Sequence, residues 1–159
     1  GDAIAITLLK AHNFNKEDFA RAHPGGSLGK RLLLRVEEVM RKNSAIPSVP
    51  VTATLKDALL EMTAKHLGMT SIVDDEDVIQ GIFTDGDLRR TMKEDVSLSS
   101  TLIKNIMTTH FKSTHADKLA YEVFTEMENA KITAMPVVDD KKKVIGIIHL
   151  HDILQTGLI

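Results

Sequence analysis

The chain has 159 residues, 43% hydrophobic and 26% charged, with a formal net charge of −2. That is enough for one compact domain or two small ones of ordinary globular composition. The near-neutral balance and 4% aromatic content argue against a nucleic-acid surface, no apolar run approaches the roughly 20 residues of a membrane span, and the lack of cysteine excludes disulfides and fits a cytoplasmic location.

Ala3, Ile4, Ile6, Leu8 and Leu9 predict an apolar helix over 3–11. It starts with almost nothing before it, so a longer parent protein is expected. The opening GDAIAITLLKAHNF has neither a basic leader nor a cleavage site, so no signal peptide is expected. A second short helix is predicted over 15–22, with Asn15 as N-cap. HPGGSLGKRLLLRV then reads as a Gly-rich turn leading into an apolar linker at 30–36.

From residue 36 the chain repeats itself. GIFTDGDLRR at 81–90 has a looser copy, GIIHLHDILQ, at 146–155. The same 65-residue offset pairs Glu61 with Glu126, Val73 with Val138, Asp74 with Asp139 and Asp87 with Asp152. VEEVM and IKNIM open the copies as short helical turns, each followed by a short extended piece. An amphipathic helix follows, with Leu55, Ala58, Leu59 and Met62 in one copy and Ala120, Val123, Phe124 and Met127 in the other, at helical spacing. Two strands joined by a polar turn and a closing helix complete each β-α-β-β-α unit. One such unit buries too little surface to stand comfortably alone, so the two are expected to share a core.

That order, with PVVD and the two G-h-h-x-x-x-D ends, resembles the CBS domain (the cystathionine β-synthase module). The resemblance implies an α+β tandem pair related by a pseudo-twofold axis, with copies at 36–95 and 100–159. It also implies clefts that often take adenosine nucleotides. Thr84 and Asp87 are spaced as a capping box. The resemblance adds a second role, in which Asp87 accepts from a ribose diol and Thr84 meets sugar or phosphate. Arg89 and Arg90 point to an anionic ligand, or simply to a solvated helix face. In the second copy Asp152 matches Asp87 and is expected to bind ligand likewise, together with His149, which can donate to a phosphate but stands where Ser or Thr is usual. An imidazole is not expected to imitate the small hydroxyl there. A metal at His149, His151 and Asp152 lacks a third His or Cys, so no metal is assigned.

Residues 1–35 resemble the end of a sugar isomerase (SIS) domain. The pattern GDAIAITLL, then EDFARAHPGGSLGK, is similar to that of the arabinose-5-phosphate isomerase family, in which an SIS domain precedes a CBS pair. The resemblance implies an aldose–ketose isomerase interconverting D-arabinose 5-phosphate and D-ribulose 5-phosphate for Kdo and lipopolysaccharide synthesis. Histidine suits the proton transfer of that reaction, and His23 matches the family's active-site residue. The fragment lacks the rest of the SIS sheet and is expected to be inactive by itself. Its expected role is regulatory, sensing a nucleotide or nucleotide sugar such as CMP-Kdo, AMP or ATP, with no required cofactor. The alternative is a structural module with empty clefts that holds homo-oligomers, dimers or tetramers, together.

Overall fold

The computed structural model of the protein describes residues 27–159. The helices expected at 3–11 and 15–22, and His23, lie outside the described residues. Helix α1 (Ser27–Leu33) occupies what reads in sequence as turn and linker. It is fastened to the C-terminal end of the chain. Lys30 Nζ donates to the Thr156 carbonyl at 2.6 Å and Arg31 Nε to that of Leu158 at 3.2 Å. The Arg31 guanidinium lies 4.9 Å from the centroid of the Tyr121 ring, within cation–π range.

The first copy runs through a 3-10 turn (Val36–Glu38), β1 (Ser48–Pro50), α2 (Leu55–Lys65), β2 (Met69–Val73), β3 (Ile79–Thr84) and α3 (Asp85–Thr91). The second runs through a 3-10 turn (Ile103–Asn105), α4 (Ala120–Ala130), β4 (Ala134–Val138), β5 (Val144–His149) and α5 (Leu150–Gln155). Strand β1 lies parallel to β2, which is antiparallel to β3, and β4 is antiparallel to β5. The duplication extends to single torsions: His66 and Lys131 both end their helices at φ 58°. Asp74 Oδ1 accepts from the N–H groups of Glu76 and Val78, as Asp139 Oδ1 does from Lys141 and Lys143.

The copies differ in their first strand. In the second, it is reduced to one parallel bridge, Thr114 to Val137. Ser71 N–H donates to the Pro47 carbonyl at 3.1 Å, but the matching position in the second copy is Pro136. Proline has no N–H, so that rung of the ladder cannot form.

Each opener is exchanged into the other copy. Val36 is fully buried among Val123, Phe124, Met127, Val137, Ile148 and Ile153, while Ile103 is fully buried among Leu55, Ala58, Ile72 and Phe83. Arg41 exchanges backbone hydrogen bonds with Ile147 (2.8 and 3.1 Å), and Thr108 does so with Ile82 (2.8 and 2.9 Å). The helices also begin on exchanged chain, since Leu55 N–H donates to the Thr101 carbonyl and Ala120 N–H to that of Leu34. The hairpin tips meet as well, through an antiparallel bridge between Val78 and Lys143. The two copies are therefore interlocked, which is how units too small for a core of their own share one.

Candidate functional site

Between the interlocked copies lies a cleft of about 1400 Å³. The first copy contributes Gly68, Ile82 and residues 84–87 with Arg89 and Arg90. The second contributes residues 108–113, residues 130–134 and His149. Arg89, Arg90, Lys112, Lys131 and Lys142 line it against two carboxylates, Asp85 and Asp87. Cations in excess on a concave wall focus a positive potential and favour an anion.

Asp87 lines this cleft and is 6% exposed. It closes a capping box at the start of α3. Thr84 Oγ1 accepts from Asp87 N–H at 3.2 Å, and Asp87 Oδ2 accepts from Thr84 N–H at 3.0 Å. Thr84 Oγ1 also donates to Oδ2 at 3.1 Å, Thr108 Oγ1 donates to Oδ1 at 2.8 Å, and Arg90 forms an ion pair with Oδ1. Two oxygens offering roughly four acceptor sites thus have four donors. The cap itself is worth about 1 kcal/mol.

The second copy is built differently at the same place. Asp152 is held by Arg41, with Nε to Oδ2 at 2.8 Å and Nη2 to Oδ1 at 3.2 Å. The hydrogen bond to Asp152 raises the Arg41 pKa above its ordinary value, with burial opposing. Arg41 and Thr108 are equivalent, as each follows an opener and pairs its backbone with the other copy's outer strand. Asp152 is not among the residues lining the cleft, although His149 is.

At the position matching Thr84 the second copy caps its closing helix with an imidazole and without the reciprocal capping box. His149 is the N-cap of α5, and its Nδ1 accepts from His151 N–H at 3.1 Å. That requires an unprotonated Nδ1. Burial is the main influence lowering the His149 pKa below the usual histidine range; Arg41 and His151 also lower it, against the pull of Asp152. Among the described residues no group of three or more His, Cys, Asp or Glu is placed to hold a metal, and no helix is long and apolar enough to cross a membrane.

The structure thus brings Thr84, Asp87, Arg89, Arg90 and His149 to one cleft and places Asp152 in an ion pair outside it. Sequence reading missed Thr108, Lys112 and Lys131. Thr108 follows the IKNIM opener directly, but nothing in that stretch announces that it crosses to Asp87. Lys131 follows α4 at the left-handed position, where a solvated lysine is the ordinary expectation.

The CBS domain family model matches residues 36–94 and 103–158. Along all 159 residues the chain is 46% identical to arabinose 5-phosphate isomerase KdsD of Pseudomonas aeruginosa and 43% identical to arabinose 5-phosphate isomerase GutQ of Shigella flexneri. It spans 49% of the length of each of these curated relatives. The crystal structure of the CBS domain pair of protein MJ0100 in complex with 5′-methylthioadenosine and S-adenosyl-L-methionine superposes with a TM-score of 0.69, at 23% identity, over 79% of this chain and 96% of that one. CBSX2 in complex with AMP gives 0.66 at 19% identity, over 78% and 96%. With the duplicated β-α-β-β-α unit, the interlocked cores and both halves matched, the chain belongs to the CBS domain family and is a tandem pair of that α+β fold.

Proposed function

We propose that this CBS pair is the regulatory part of an arabinose-5-phosphate isomerase and that its cleft binds an anionic nucleotide or nucleotide sugar. The observation that carries the reading is the cleft wall, where Arg89, Arg90, Lys112 and Lys131 line the same cavity as a buried capping carboxylate. Thr84, Asp87, Arg89, Arg90 and His149 are the contacts assigned to the ligand; Asp152, engaged by Arg41, is not. The parent reaction is the interconversion of D-arabinose 5-phosphate and D-ribulose 5-phosphate, which supplies Kdo for lipopolysaccharide. Residues 1–35 are the end of the SIS domain, His23 acts on protons only in the full-length enzyme, and the 159-residue piece has no isomerase activity of its own. Helix α1 provides the mechanical route between the domains, because it is anchored on the C-terminal end and on the Tyr121 ring.

Thermal melting with CMP-Kdo, CMP, AMP and ATP tests this. At 100 times Kd a ligand stabilises the fold by about 2.7 kcal/mol, a shift of several degrees at this size. A flat response to all four at millimolar concentration would overturn the reading. A second role, pairing of copies into homo-oligomers, is favoured by the exposed Leu60 (60%), Met92 (66%) and Leu154 (47%) on or beside helices. Sedimentation that returns a monomer at all concentrations would remove it.

A further inference from the structure

We infer that Arg90 is an exchangeable counter-ion of Asp87, so that the cleft selects ligands carrying both a sugar hydroxyl and a phosphate. This deepens the ligand-binding reading and rests on it. In the structure all the acceptor capacity of Asp87 is taken, so a sugar hydroxyl can bond it only by displacing a donor. Three of the four donors cannot leave cheaply. Thr84 N–H belongs to the cap of α3, and Thr84 Oγ1 is kept beside Oδ2 by the Asp87 N–H that it accepts. Thr108 Oγ1 is carried on a segment pinned to Ile82 by two backbone hydrogen bonds. The fourth, Arg90, has a side chain that is 70% exposed and is attached only through its own flexible stem. Exposed ion pairs hold weakly, whereas a buried carboxylate left without a replacement donor is costly.

A phosphate and a hydroxyl solve this together. The guanidinium turns from Asp87 to the phosphate, for which it is well shaped, and the hydroxyl takes its place on Oδ1. A nucleoside alone must evict Arg90 with nothing to receive it. Inorganic phosphate alone leaves Asp87 short of a donor.

Isothermal titration with two matched pairs, AMP against adenosine and CMP against cytidine, tests the exchange in wild type and Arg90→Ala. The expected result is a change of opposite sign. Nucleotides weaken at least about ten-fold, as loss of a charge-assisted hydrogen bond requires. Nucleosides tighten by about three-fold, because their competitor for Asp87 is gone. Arg90→Gln, neutral but longer than alanine, should show the same crossing and serves if Arg90→Ala melts early. Nucleosides that weaken or do not change in both variants overturn the exchange. If wild type binds no nucleotide, the cleft reading fails by itself. The exchange is then decided by the variants: nucleoside binding in them supports it, and its absence overturns it.

Discussion

Replacing Gly81 with alanine should destabilise the protein far more than a single methyl ordinarily would, because the exchanged opener passes directly over that position. A Cβ there would lie 2.6 Å from Met107 Sδ, 2.8 Å from Met107 Cγ and 2.9 Å from the Thr108 carbonyl oxygen. The thioether can move aside, being flexible. The carbonyl cannot, since it accepts Ile82 N–H at 2.9 Å while Thr108 N–H donates to the Ile82 carbonyl at 2.8 Å. Relief therefore means lifting the opener from β3. Overpacking costs about 1–3 kcal/mol, and a broken backbone hydrogen bond adds about 1 kcal/mol. At about 3 °C per kcal/mol for a chain of this size, the melting temperature should fall by roughly 6–12 °C. Gly86→Ala is the control. Its Cβ would sit at ordinary contact, 3.6 Å from Thr84 Oγ1 and 3.7 Å from Arg90 Nη1. Alanine is also the better helix former by about 1 kcal/mol, so this variant should melt at or above wild type. Gly81→Ala melting within about 2 °C of wild type would refute the interlock, since it would mean that the opener is not seated on the strand.

Thr54→Ala should cost about 1 kcal/mol by removing the hydroxyl that accepts Asp57 N–H at 3.2 Å; urea denaturation reads it, and no change in midpoint would deny the cap. The depressed pKa of His149 makes its contribution to stability fully present above the unfolded-state value, and that contribution is lost as pH falls through the folded-state pKa. Between about pH 7 and pH 5, wild type should therefore lose melting temperature faster than His149→Thr, and parallel curves would contradict a neutral capping imidazole. Arg41→Thr should cost about 1 kcal/mol or less, as expected of a partly exposed pair. In wild type, titration with whichever nucleotide binds should return one equivalent per chain; two equivalents would show that Arg41 does not close the second copy.

Much of the fold is written openly in the chain. The 65-residue offset holds because the same side chains do the same local work twice: Asp74 and Asp139 fold the hairpins, and Val123, Phe124 and Met127 bury the same helix face as Ala58 and Met62. The TDGD turn likewise announces its cap, since the hydroxyl and the carboxylate lie three residues apart and need no tertiary information. What could not be read is what crosses between copies. The partners of Asp87 in sequence are Thr84 and Arg90, but Thr108 reaches it only because IKNIM leaves its own copy. Arg41 and Asp152 are 111 residues apart, and no periodicity links them. The helix at Ser27–Leu33 escaped notice because a glycine and two basic residues look like linker until Thr156 and Leu158 supply their carbonyls.

The contrast between the two carboxylates sets the first copy's wall apart from the matching place in the second. Both copies place an aspartate at the third position of a closing helix, and each must be neutralised where it is partly or wholly buried. In the second copy the cation comes from Arg41. Its backbone is fixed to Ile147 by two hydrogen bonds, and its guanidinium meets Asp152 through two more. Swinging the guanidinium away would break both of those side-chain bonds at once. In the first copy the equivalent position holds only the short Thr108, and the cation comes from Arg90, on the same helix as the carboxylate and free along its stem. Leu154 and Gln155 stand where the first copy has Arg89 and Arg90, so the second copy has no mobile cation to exchange. On the proposed function, an anchored counter-ion makes a structural joint and a mobile one makes a binding site. The difference turns on which residue follows each opener and which two residues follow each closing aspartate.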